Sequence, residues 1–212
     1  MTLRERLADE ESLRLLTRTL QLALVGIVCY GAVTLNVGLV VNAGVSLGVT
    51  FLPAVLERKY RLPMNAGLVL WITGAVSLHA IGALGPYEWF GWYDSVTHTL
   101  SASVVAGAGY ASARALDVHS AEIEIPSRYM PGFILTFVLA FGVLWEVLEF
   151  GLGGAASLVG GEAVLAQYGV DDIVFDLLFN AVGAILVAAL GTQRLRGVAS
   201  ALADRLGTHT GQ

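Results

Sequence analysis

The sequence predicts an all-α fold, a polytopic bundle of six transmembrane helices, and three observations support it. The 212-residue chain is 56% hydrophobic and only 14% charged, with a mean hydropathy of +0.71. An average soluble domain is about 25% charged, so too few polar side chains remain here to coat a globule in water. The twelve Lys and Arg residues fall into four clusters. Residues 19–57, 62–113 and 129–193, between those clusters, hold no positive charge at all.

The charges set the expected crossings. The clusters are Arg4, Arg6, Arg14 and Arg18; Arg58, Lys59 and Arg61; Arg114 and Arg128; and Arg194, Arg196 and Arg205. A spanning helix needs about 20 apolar residues, so each uncharged stretch accommodates two crossings. Each pair returns the chain to the side it left. All four clusters then share one face, which the positive-inside rule makes the cytoplasm. Both termini are expected there, and the protein is expected in the plasma membrane.

The elements follow in order. Residues 1–17 carry Glu5, Asp9, Glu10 and Glu11, unlike a signal peptide. Thr2 and Glu5 match a capping box, and Leu3, Leu7, Leu13 and Leu16 suggest an amphipathic lead-in helix. The membrane domain occupies 18–193, with helices expected over 18–35, 38–57, 64–84, 94–114, 130–152 and 172–193. The first turn is placed near Asn36 and Gly38, and residues 194–212 form a cytoplasmic tail. Gly44 and Gly48 make a GxxxG in the second helix, and the fourth is rich in small residues from Ser101 to Gly109. Both are expected to be packing surfaces, since small residues let helices approach closely in lipid. Tyr87, Trp89, Phe90, Trp92 and Tyr93 read as an interfacial aromatic belt.

Composition also excludes functions. A net charge of −5 without a basic run argues against nucleic acid. Cys29 is the only cysteine, which leaves no internal disulfide and no cysteine metal motif. Membrane lipids are the partner the composition does imply.

The ionisable residues inside the expected helices carry the functional information, because each costs about +2.5 to +3.5 kcal/mol at a helix centre even on lenient scales. His79 lies in the third helix, Asp94 and His98 in the fourth, Glu146 and Glu149 in the fifth, and Asp172, Asp176 and Asn180 in the sixth. Nearly all fall within about 10–12 Å of the extracytoplasmic helix ends at ~1.5 Å per residue. Their spacings of three and four place each set on one helix face. Asp171, Glu162, His119 and His209 read as solvated.

Two histidines with up to five carboxylates suit a divalent cation such as Zn²⁺, Mn²⁺ or Mg²⁺. Glu146 and Glu149 cannot both ionise unaided in a low dielectric. Three functions remain open on this chemistry. One is a metal-dependent enzyme acting on a lipid or lipid-linked envelope substrate. Glu146 or Glu149 would then be the base, and His98, Asp94 and Asp176 the ligands. His79 would be an outer partner, with Asn180 and Asp172 orienting. Another is a proton- or cation-coupled transporter, which needs a polar route to the cytoplasm; only Asn42 and Thr73 offer one. The third is a structural accessory protein with a buried polar network.

The order of motifs resembles a known family. His79-Ala-Ile-Gly82, Tyr87-Glu88, Tyr93-Asp94-x3-His98, Glu146-x2-Glu149-Phe150 and Asp171-Asp172-x3-Asp176 resemble the YjdF family of multi-pass inner-membrane proteins. Asp176-x3-Asn180-x2-Gly183 is also similar to the VanZ-like membrane proteins. Glu149 stands where VanZ-like proteins tend to have Gln, and the Arg that usually precedes their last Asp is missing, which favours the YjdF-like branch. That resemblance, over roughly residues 64–190, implies a multi-pass prokaryotic membrane protein but brings no reaction with it. The VanZ-like likeness hints at lipid or envelope chemistry.

Overall fold

The computed structural model describes residues 3–120, 122–158 and 169–210, and the side chains of 9–120, 122–151 and 169–207. Thr2 of the expected capping box, Glu162 and the His209 side chain lie outside them. The described elements are all helices, joined by turns and short loops: α1 (Leu3–Val33), α2 (Val37–Val49), α3 (Leu52–Tyr60), α4 (Ala66–Gly82), α5 (Pro86–Trp89), α6 (Tyr93–His119), α7 (Met130–Leu158), α8 (Val170–Leu186) and α9 (Thr192–Thr210). A π turn, Val187–Gly191, joins α8 to α9.

Among the described residues, four stretches are long and apolar enough to cross a membrane: Asp9–Val33, Val37–Tyr60, Met130–Gly151 and Val170–Gly207. Ala66–Gly82 is apolar but only 17 residues long. The 27-residue α6 is long enough, but Thr97, Thr99, Ser101 and Ser103 dilute its apolar character. The lead-in and the first crossing form one continuous helix. The second expected span is interrupted at Thr50–Phe51 because Pro53, at the start of α3, has no N–H to give the preceding turn. The tail after 193 continues as α9.

The chain divides into two compact units. The first comprises Met1–Pro53, Met64–Thr97 and Leu148–Tyr168; the second comprises Ala54–Pro63, His98–Val147 and Gly169–Gln212. In the first unit α1 and α2 form an antiparallel hairpin. Leu35 takes a left-handed conformation (φ 57°), and Asn36 caps α2 by accepting from the Leu39 N–H at 2.8 Å. A Cβ on Gly31 would lie 3.0 Å from a Val40 methyl, and Gln21 Nε2 donates to Thr50 Oγ1 at 3.1 Å, so the hairpin stays closed along its length. Leu24, Ile27, Leu39, Ala43 and Ala80 form the core of this unit, joining α4 to the hairpin.

In the second unit α6 and α8 meet closely. A Cβ on Gly183 would collide with the Thr99 carbonyl oxygen and come within 3.0 Å of Ala102 Cβ. The small residues of α6 are therefore a packing surface: Ala102, Ser103 and Ala106 are buried. Gly44 and Gly48 of α2 are different. A Cβ at either would meet nothing within 4 Å, because the buried face of α2 is the one carrying Leu39, Ala43 and Ser46. The expected GxxxG packing within the chain is thus not formed. Large apolar side chains such as Leu22, Phe150 and Leu190 are exposed, as lipid-facing positions require.

Candidate functional site

Each unit buries its own set of polar groups. In the second unit the set is built on α6, α7 and α8. His98 Nε2 lies 3.4 Å from an Asp176 carboxylate oxygen, and His98 Nδ1 lies 3.4 Å from Asn180 Oδ1. Asp176 and Asn180 are four residues apart on α8, so one imidazole faces both across adjacent turns. The Asn180 oxygen only accepts, which places the ring proton on Nδ1. Nε2 is left to face Asp176.

α7 runs antiparallel to α8. A Cβ on Gly142 would stand 2.8 Å from Asn180 Nδ2, so this glycine makes room for the amide. Further along the pair, Pro131, Gly132 and Leu135 border an apolar cleft together with Ile185, Ala188 and Ala189. This register sets Glu146, one turn after Gly142, level with Asp176, one turn before Asn180. Both carboxylates are buried, at 5% and 3% exposure. Asp94 stands one turn before His98 on α6. Asp172, a further turn before Asp176, is half-buried.

In the first unit a hydrogen-bonded chain runs through Tyr87. Its hydroxyl lies 2.6 Å from His79 Nδ1 and 3.4 Å from Thr97 Oγ1, and Thr97 donates to the Asp94 carbonyl at 2.7 Å. With one proton per hydroxyl, the consistent direction is His79 to Tyr87 to Thr97 to Asp94. Burial raises the Tyr87 hydroxyl above its ordinary range, and the charges of Asp94 and Glu149 add to it. Tyr93 donates to the Leu78 carbonyl at 2.8 Å, pinning the start of α6 to α4. Glu149 is buried at 7% exposure.

Of the expected site residues, the second unit brings His98, Asp176 and Asn180 together, with Glu146 at their level. His79 and Glu149 belong with Tyr87 instead. Tyr87, Tyr93 and Thr97 carry structure that the sequence did not reveal. Of the five belt aromatics only Trp89, Phe90 and Trp92 are exposed, while Tyr87 and Tyr93 turn inward. Their spacing from His79 and Leu78 gave no signal, because a tyrosine at a helix entrance has the composition of an interfacial belt either way.

An all-helical chain with long apolar helices, lipid-facing apolar side chains and buried ionisable groups defines a multi-pass integral membrane protein. The chain belongs to a family described as predicted membrane protein (DUF2238), whose model matches residues 15–197. No curated protein and no solved structure matches it.

Proposed function

We propose that this protein is a plasma-membrane enzyme with six crossings and both termini in the cytoplasm. Its site would lie in the outer leaflet and act on a lipid or lipid-linked envelope substrate. His98 and Asp176 are the first two ligands of a divalent cation. The observation that carries this is the 3.4 Å between His98 Nε2 and the Asp176 oxygen. Two ligand atoms on one tetrahedral ion, each about 2.0–2.2 Å from it, stand about 3.3–3.6 Å apart. A charge-assisted hydrogen bond between the same atoms would be shorter, about 2.7–2.9 Å.

The remaining groups have roles that follow from their places. Asn180 holds His98 Nδ1–H and so keeps the Nε2 lone pair directed at the ion. Glu146 takes the proton from an attacking water. The Tyr87–Thr97 chain steadies the first turn of α6, where Asp94 stands. Asp172 orients the substrate at the mouth. A divalent ion here supplies polarisation of a phosphoryl or acyl oxygen. The apolar cleft at Leu135 and Ile185 begins five residues along α8 from Asn180, about 7–8 Å at helical rise, and suits an acyl or prenyl chain. The resemblance of the motif order to YjdF and VanZ-like proteins supports this reading of an envelope setting.

The test is metal content by mass spectrometry on protein purified in mild detergent without chelator, before and after titration with Zn²⁺, Mn²⁺ and Mg²⁺. About one ion per chain is expected in the wild type. Asp176→Asn and His98→Ala should lose it, while Glu146→Gln keeps it and loses turnover on a panel of phospholipids and isoprenoid phosphates. No saturable ion in a folded wild-type protein would overturn the proposal.

A further inference from the structure

The first unit holds a second polar feature with no place in that mechanism. Thr73 and Ser77, one turn apart on α4, are both completely buried. Their hydroxyls, and Oδ1 of Asn42 on α2, have no hydrogen-bond partner among the described residues. Several other helical hydroxyls in this chain bend back to their own helix: Thr17 to the Leu13 carbonyl at 2.9 Å, Thr19 to Leu15 at 3.0 Å, Ser103 to Leu100 at 2.6 Å. Thr73 and Ser77 do not.

Thr73 and Ser77 stand on successive turns of α4, and Asn42 shares the face of α2 that carries the buried Leu39, Ala43 and Ser46. α2 packs on α4, and the cluster of Leu39 and Ala43 with Ala80 sets their register. The turn of α2 at Asn42 therefore lies against the turn of α4 at Ser77. One turn further along α2 is Ser46, buried at 6%, and one turn beyond that Thr50, bonded to Gln21 of α1. Uncharged polar side chains thus follow one another along the interior of α1, α2 and α4.

We propose that Asn42, Thr73 and Ser77 bind internal water, and that Ser46 extends this hydrated track along the interior of α2 and α4. A buried water typically makes about three hydrogen bonds to groups otherwise unsatisfied. Two hydroxyls and an amide oxygen supply that number. The lining carries no carboxylate, so nothing offsets the cost of dehydrating a metal cation. Water is the ligand that fits, and a hydrogen-bonded file of it conducts protons in preference to ions. This feature is independent of the metal site, and the metal proposal can fail without touching it.

The test turns on the sign of a melting shift. In a hydrated track Thr73→Val and Ser77→Ala each strand a water partner, and the melting temperature in detergent falls by about 2–4 °C. In a dry interface the same changes remove an unpaired hydroxyl, so the melting temperature rises or holds, which overturns the proposal. A second readout uses Thr73→Cys and Ser77→Cys in a Cys29→Ser background, following the thiol infrared band after transfer to D₂O. Rapid loss of the band is expected at both positions. The control is Ala80→Cys, at a fully buried position in the apolar cluster. Bands persisting as long as the control's would equally overturn it.

Discussion

The two units bury polarity in opposite ways. The second concentrates ionisable groups: an imidazole between a carboxylate and an amide, with another carboxylate one helix away at the same level. The first, besides the chain through His79, Tyr87 and Thr97, spreads neutral groups over successive turns of α2 and α4, and three of their oxygens have no hydrogen-bond partner among the described residues. Charge can be held in a membrane only where a partner or an ion compensates it. Neutral oxygens need only a water. The difference teaches that ordinary helical spacing can build both a compact cluster of ionisable groups and an extended run of neutral ones.

The largest effect expected from breaking this contrast is at the base of the charged cluster. Gly183 lets α8 lie on the backbone of α6 at Thr99, one residue from His98. Gly183→Leu puts a side chain where backbone stands, and backbone cannot swing aside. We expect a loss of about 3 kcal/mol or more, seen as a fall in melting temperature of roughly 6–12 °C or as aggregation on size exclusion. A folded protein melting within about 2 °C of wild type would mean that the α6–α8 contact is not tight.

Next is the cluster itself. Asp176→Ala leaves His98 facing an empty side, and we expect a cost of about 1–3 kcal/mol. The double change His98→Phe with Asp176→Leu removes both polar groups together and should recover most of that loss, since an apolar pair of similar volume is often neutral or stabilising. Melting temperatures of the single and double variants check this. A double variant less stable than either single would show that the cluster holds the fold rather than serving chemistry.

A smaller effect belongs to Tyr87. Tyr87→Phe removes the bond to His79 and should cost about 0.5–1.5 kcal/mol at neutral pH. The pH dependence has a definite sign. The hydroxyl is raised above its ordinary value of 10.0 in the fold, so the folded state keeps a proton that the unfolded chain releases. Its contribution is complete below about pH 10 and is lost as pH climbs toward the folded value. Wild type should therefore lose stability more steeply above pH 10 than Tyr87→Phe does. Parallel alkaline limbs in the two melting curves would contradict the buried setting of this tyrosine.

How much of this was legible in the sequence depended on spacing. His98, Asp176 and Asn180 were readable because i, i+4 carboxylate and amide positions on apolar helices have few structural reasons to exist. Asn42 and Thr73 stand out in the sequence as isolated polar residues, whereas Ser46 and Ser77 do not. A serine or threonine in an apolar helix ordinarily bonds its own backbone, so its presence alone carries no signal; only the missing bond does. The pairing of Tyr87 with His79 was equally hidden, because it depends on where α5 turns after Gly85 (φ 134°). The continuity of α1 from Leu3 was obscured by its acidic first turns, which look like solvated lead-in whether or not a helix runs through them.

The smallest expected effect is the one that sharpens the comparison between helices most. Gly44 and Gly48 have the spacing of a close-packing pair, as Gly183 has the surroundings of one. At Gly183 an added methyl meets the Thr99 backbone; at Gly44 and Gly48 it meets nothing. Gly44→Ala and Gly48→Ala should therefore shift the melting temperature by no more than about 2 °C, and upward if anything, because alanine favours a helix by up to about 1 kcal/mol over glycine. The particle mass in detergent should not change. A marked fall in mass with either substitution would mean that another copy of the chain approaches α2 closely at those glycines. The motif would then be a packing surface after all, but between chains, where no side chain of the same chain competes for it.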